Sequence, residues 1–172
     1  MNSFENDHQE EEKKSLTRYI DLLSQQLKKE KDHKEFLIVK GLLYSDLGDI
    51  HIAQERKQIA ESYFEKAFFE FNEAITYHQT SPKPFFFRAG ILLKLNSPEE
   101  AQKDFIRGMF REDEPNYFET DIQIEAENDL LTAKAFEFHP KYITLVQDRF
   151  RLLRDISLTK FYIEDLDSLN HP

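Results

Sequence analysis

Apolar residues recur along this chain at spacings of three and four, which is the signature of helices with one buried face. Leu16, Tyr19, Ile20, Leu23 and Leu27 predict a helix over residues 11–31, ended by the charged run 28–32. Phe36, Leu37, Leu43, Tyr44 and Leu47 predict a second, closed at Gly48-Asp49, where glycine suits the left-handed position after a helix. Residues 50–77 contain neither Gly nor Pro, and Ala53, Ala60, Ala67 and Ala74 recur every seven. That segment predicts one long helix over about 50–78, ~40 Å at 1.5 Å per residue, whose small residues admit a close neighbour. The alternative is two helices with a break near 54–58.

Ser81-Pro82-Lys83-Pro84 breaks the chain, because each proline disfavours helix in the residue before it. A short helix follows over 85–95. Ser97-Pro98-Glu99-Glu100 then reads as a capping box with proline at the first helical position, opening a helix over 98–111. After the break at 112–115, helices are expected over 117–138 and 141–166, the latter with Leu145, Val146, Phe150, Leu153, Ile156 and Phe161 on its apolar side. No segment shows the two-residue alternation of a strand. The expectation is an all-α chain of about seven helices: an acidic disordered tail over 1–10 and a single domain over 11–172.

Composition narrows the function. Only 4 Gly and 6 Pro among 172 residues leave few tight turns, while 40% hydrophobic and 13% aromatic content supports a packed core. The net charge of −10 disfavours nucleic acid and anionic membranes, both of which demand clustered cations. There is no Cys, hence no thiolate chemistry. The polar N-terminal stretch lacks the apolar core of a secretory signal, so a cytoplasmic location is expected. His8, His33, His51, His78, His139 and His171 show no metal-ligand spacing and read as surface or turn residues. The acidic runs 10–12, 112–114 and 125–129 lack a calcium-loop pattern. No phosphate-cradling or nucleophile-elbow motif is present. No catalytic residue, metal or cofactor is therefore assigned, and the chain reads as non-enzymatic. Arg149, Arg151, Arg154 and Lys160 form its most basic stretch, expected to pair with the acids of 125–129.

Ala67, Phe71 and Ala74 are followed thirty-four residues later by Ala101, Phe105 and Gly108. With Phe85, Ala89 and Leu92 before them, the latter resemble a tetratricopeptide (TPR) repeat over 82–115. Residues 34–79 resemble a second, through Leu37, Gly41, Tyr44 and Gly48, with two extra heptads inserted. The resemblance implies a superhelix of helical hairpins. It assigns Gly41, Tyr44, Ala67, Phe71, Ala74, Ala89, Ala101, Phe105 and Gly108 to repeat packing, with 11–31, 117–138 and 141–166 as capping helices. It also implies a concave groove formed by Ile38, Leu42, Ser45, Phe86, Gly90 and Leu93, with Lys94 and Asp46 at its rim. Some TPR proteins clamp a terminal carboxylate with Lys and Asn at such positions; here they are apolar, so a hydrophobic helix or peptide is the expected guest. The resulting expectation is a protein-interaction module, an adaptor, scaffold or chaperone-like protein. The alternative is self-association, as a homodimer, through the alanine heptads; an enzyme or metal protein on a helical bundle ranks last.

Overall fold

The computed structural model describes residues 2–111, residue 128 and residues 137–165, and every described element is helical. Six helices are α1 (Ser3–Lys29), α2 (Lys34–Ala53), α3 (Lys57–Tyr77), α4 (Lys83–Lys94), α5 (Pro98–Met109) and α6 (Lys141–Lys160); a π-helical turn, Phe161–Asp165, extends α6. The helix expected over 117–138 lies almost wholly outside the described residues.

The expected tail is instead the start of α1. Asn2 Oδ1 accepts the Glu5 amide at 2.8 Å, satisfying a helix-end donor, and Glu10–Lys13 and Glu11–Lys14 pair three residues apart. The buried face of α1, Leu16, Ile20, Leu23 and Leu27, packs on α2.

The long helix expected over 50–78 is two, because the chain turns at Gln54–Arg56. Glu55 takes a left-handed φ of 59°, and the Arg56 amide reaches back to the His51 carbonyl at 2.8 Å. This closes α2 as a Schellman-type end without glycine. The glycine expected to close it, Gly48, lies inside α2, because α3 packs there. A Cβ on Gly41 would meet the Phe71 ring, and one on Gly48 would meet Phe64. The two glycines stand one heptad apart on α2, and the two rings one heptad apart on α3. The inserted heptads thus lengthen both arms of an antiparallel hairpin. Ala60, Ala67 and Ala74 are fully buried in α3, which packs most extensively on α2. That face is not open for self-association.

α4 and α5 form a second, shorter hairpin. Ser97 precedes α5 and Pro98 occupies its first turn, but the Ser97 side chain makes no capping bond, so the capping box is absent. Arg88 links three helices: its guanidinium donates to both Asp104 oxygens at 2.6 and 2.7 Å and to Asn72 at 2.9 Å. α6 then runs crosswise. Tyr142 meets Phe105 of α5, Phe150 meets Phe87 of α4, Arg154 reaches Asp46 of α2, and Phe161 meets Tyr19 of α1.

Candidate interaction surface

The groove expected between α2 and α4 exists as a shape but holds α6. Ile38, Leu42 and Ser45 are fully buried. Gly90 lies directly under Phe150, whose ring body a Cβ would penetrate, so only glycine lets α6 come this close. Leu93 and Lys94 are half-buried. Phe86, expected to face a partner, is 1% exposed and packs between Phe105 and Gly108. It takes the hairpin-filling place expected of Phe85, while Phe87 faces Phe71 and Phe150. The open-groove expectation is corrected for Ile38, Leu42, Ser45 and Phe86, whereas Gly90, Leu93 and Lys94 line a cavity of about 680 Å³ between α4 and α6. α6 supplies Tyr142, Val146, Phe150, Leu153 and Leu158 to the core, and the following turn supplies Phe161. At about 1.5–3 kcal/mol per large buried side chain, these contribute on the order of 10 kcal/mol. The repeat-packing residues do come together: Phe71 covers Gly41, Tyr44 stacks on Tyr63, Phe105 meets Phe86, and Ala67, Ala74, Ala89 and Ala101 are buried.

Polar contacts fix α6 in register. Arg154 donates to both Asp46 oxygens at 2.9–3.0 Å and to Asp155 at 2.9 Å. Lys94 donates to Ser45 Oγ at 3.0 Å and to Asp49 at 2.8 and 2.9 Å, and lies over the rings of Phe64 and Phe150. Of the two expected rim residues, Asp46 holds α6 through Arg154, whereas Lys94 ties α4 to α2 and touches α6 only through the Phe150 ring. Burial pushes the Asp46 carboxyl above the usual carboxylate range, although Arg154 pulls it down. The acids expected to pair with this basic helix, Glu125, Glu127 and Asp129, lie outside the described residues; among those described, Arg154 pairs with Asp46 and Asp155.

Beside its buried face, α6 keeps a row of apolar side chains in contact with water. Leu152 is 50% exposed, Ile156 47% and Ile163 68%, and with Asp155, Thr159, Lys160 and Glu164 they line one shallow surface groove. Exposed Phe4 and Phe69 lie on different helices, and exposed Tyr162 lies on the turn that extends α6. Ile156 was expected in the core. The sequence did carry a signal for this face: α6 is apolar on two sides, one through Val146, Phe150 and Leu153, the other through Leu152, Ile156 and Ile163.

His51, expected at the surface, is 7% exposed, stacks on Tyr63, and leaves Nδ1 without a hydrogen bond. Desolvation, then Lys13 and Arg56, lowers its pKa. Among the described residues, no group of three or more His, Asp or Glu is placed to hold a metal ion, and no helix is long and apolar enough to cross a membrane. No known family model, curated protein or solved structure matches the chain.

Proposed function

We propose that this chain is a non-enzymatic protein-interaction module of TPR-like hairpins, an adaptor or scaffold that meets its partner through the outer face of α6. The repeat is supported by a common turn. Asn96, like Glu55, takes a φ of 59°, and the Ser97 amide reaches the Leu92 carbonyl at 2.8 Å as Arg56 reaches His51. Equivalent positions are offset by forty-eight residues before the turn (Gly41 and Ala89), forty-one at it (Glu55 and Asn96), and thirty-four after it (Ala67 and Ala101). Each step of seven is the heptad added to one arm of the first hairpin.

The observation that carries the function is the contiguous row Leu152, Ile156 and Ile163 on a helix whose other face is already buried. Exposed apolar patches of this kind mark interaction sites, and a helix face presenting i, i+4 and i+11 anchors suits another helix. The deep part of the groove behind α6 is filled by the chain itself, so a guest there would first have to displace six large buried side chains.

The test is affinity capture with the full chain as bait, read by mass spectrometry. Wild type is compared with Ile156→Glu, and with Phe69→Glu as an exposed control elsewhere. Proteins retained by wild type and Phe69→Glu but lost with Ile156→Glu would support the α6 face. Identical sets from all three baits would overturn it.

A further inference from the structure

We propose that the occupant of this face is a second copy of the same chain, with the two α6 helices side by side and parallel. The inference rests on reading the exposed row as a partner surface, and it goes further by naming the partner.

Leu145, Arg149, Leu152, Ile156, Thr159 and Ile163 follow spacings of four and three in alternation, which is the seam of a coiled coil. Leu145 and Arg149 are partly buried against the body, whereas Leu152, Ile156, Thr159 and Ile163 are exposed. Two parallel copies would stack Leu152, Ile156 and Thr159 on their own counterparts, with Ile163 following in the π-helical turn. Asp155 and Lys160 flank the seam on opposite sides, five residues apart, the offset at which parallel coiled coils form cross-chain ion pairs. Antiparallel packing would set like flanking positions face to face and lose that pair. Two Arg149 side chains would approach at one end of the parallel seam, and this like-charge layer limits the contact to Leu152 onward.

Charge also selects this face. Two copies of a chain with net charge −10 repel. From Asp148 to Glu164, however, α6 and its last turn carry three acids and four bases, so copies can meet here without a charge penalty.

Sedimentation velocity over a wide concentration range tests the proposal. The expected result is a rise from 20.6 kDa toward twice that mass with concentration. Ile156→Glu should weaken association at least ~10-fold, as expected for a buried interface anchor, with an unchanged far-UV spectrum because the side chain is exposed. Lys160→Asp should weaken it, and adding Asp155→Lys should restore it. A wild-type mass of 20.6 kDa at every concentration would overturn the proposal; a different protein lost from the Ile156→Glu bait would then show that the face itself still binds. Association insensitive to Ile156→Glu would place the contact elsewhere. Failure of the charge swap to restore it would overturn the parallel arrangement.

Discussion

Asp104 is a carboxylate at 1% exposure, held by Arg88 through two bonds and by Arg107 through a third at 2.7 Å. Removing one partner of a buried pair strands the other charge, so Asp104→Ala should cost about 3–5 kcal/mol of unfolding free energy, measured by urea titration. An exposed pair such as Lys14–Glu11 should contribute under ~1 kcal/mol in the same assay. Gly90 poses a different contest. Alanine in a helix gains roughly 1 kcal/mol over glycine, but its Cβ would collide with the Phe150 ring, and overpacking costs about 1–3 kcal/mol. Gly90→Ala should therefore destabilise, and Phe150→Leu should partly rescue it. His51 makes stability depend on pH. Its folded pKa lies below the ordinary 6.5, so the stability it contributes is present above 6.5 and lost as pH falls through the folded value. Asp46 and Glu70 act oppositely. Burial raises their pKa values, so their contribution is complete below the usual carboxylate range and is lost as pH rises through the folded values. The melting temperature should fall on going below about pH 6.5, and less so in His51→Gln.

At the scale of elements, the two hairpin turns invite direct comparison. Glu55 and Asn96 have the same left-handed φ, which costs an ordinary side chain about 1–2 kcal/mol but which asparagine tolerates. Glu55→Gly should therefore stabilise the protein by roughly 1 kcal/mol, and Asn96→Gly by less, in guanidinium titrations. The same turns show where the sequence was legible. Asn96-Ser97-Pro98 announced its break with residues that favour one. Gln54-Glu55-Arg56 carries no such residues and was legible only as the alternative break near 54–58, which is the one that holds, and the glycine that looked like a helix end, Gly48, serves a helix crossing. A glycine in a helical pattern closes the helix or admits a neighbour, and only the tertiary partner decides which. The alanine heptads were legible as a packing face, but not as one facing α2. Phe86 illustrates the limit at the candidate site. Three consecutive phenylalanines fix no register by themselves, and each found a separate packing environment: Phe85 under Arg88 and Arg111, Phe86 against Phe105, Phe87 against Phe71 and Phe150. Nor could the pattern of α2 and α4 reveal that their groove would be filled by a helix some fifty residues downstream of α4.

That filling changes the behaviour expected of the whole molecule. In a solenoid each repeat contacts only its neighbours, so ends can open while the middle stays folded. Here α6 touches α5, α4, α2 and, through its last turn, α1, joining elements far apart in the chain. Opening any one of them would expose part of the face of α6, so the described helices should unfold together. Leu153, fully buried at the centre of α6, is the place to test this. Leu153→Ala should lower stability by about 2–5 kcal/mol through lost burial and the cavity left behind. If α6 couples the hairpins, the urea transition should stay single, with far-UV circular dichroism and tyrosine fluorescence coincident, and hydrogen-exchange protection in α1 and α5 should fall together. Two separated transitions in wild type, or lost protection confined to α6 in the variant, would mean that the hairpins hold without it. The partner surface would then sit on a detachable arm. A single transition would mean that the helix presenting Leu152, Ile156 and Ile163 is held rigid by the entire body. Such a helix can engage a partner without the ordering cost that a free segment would incur.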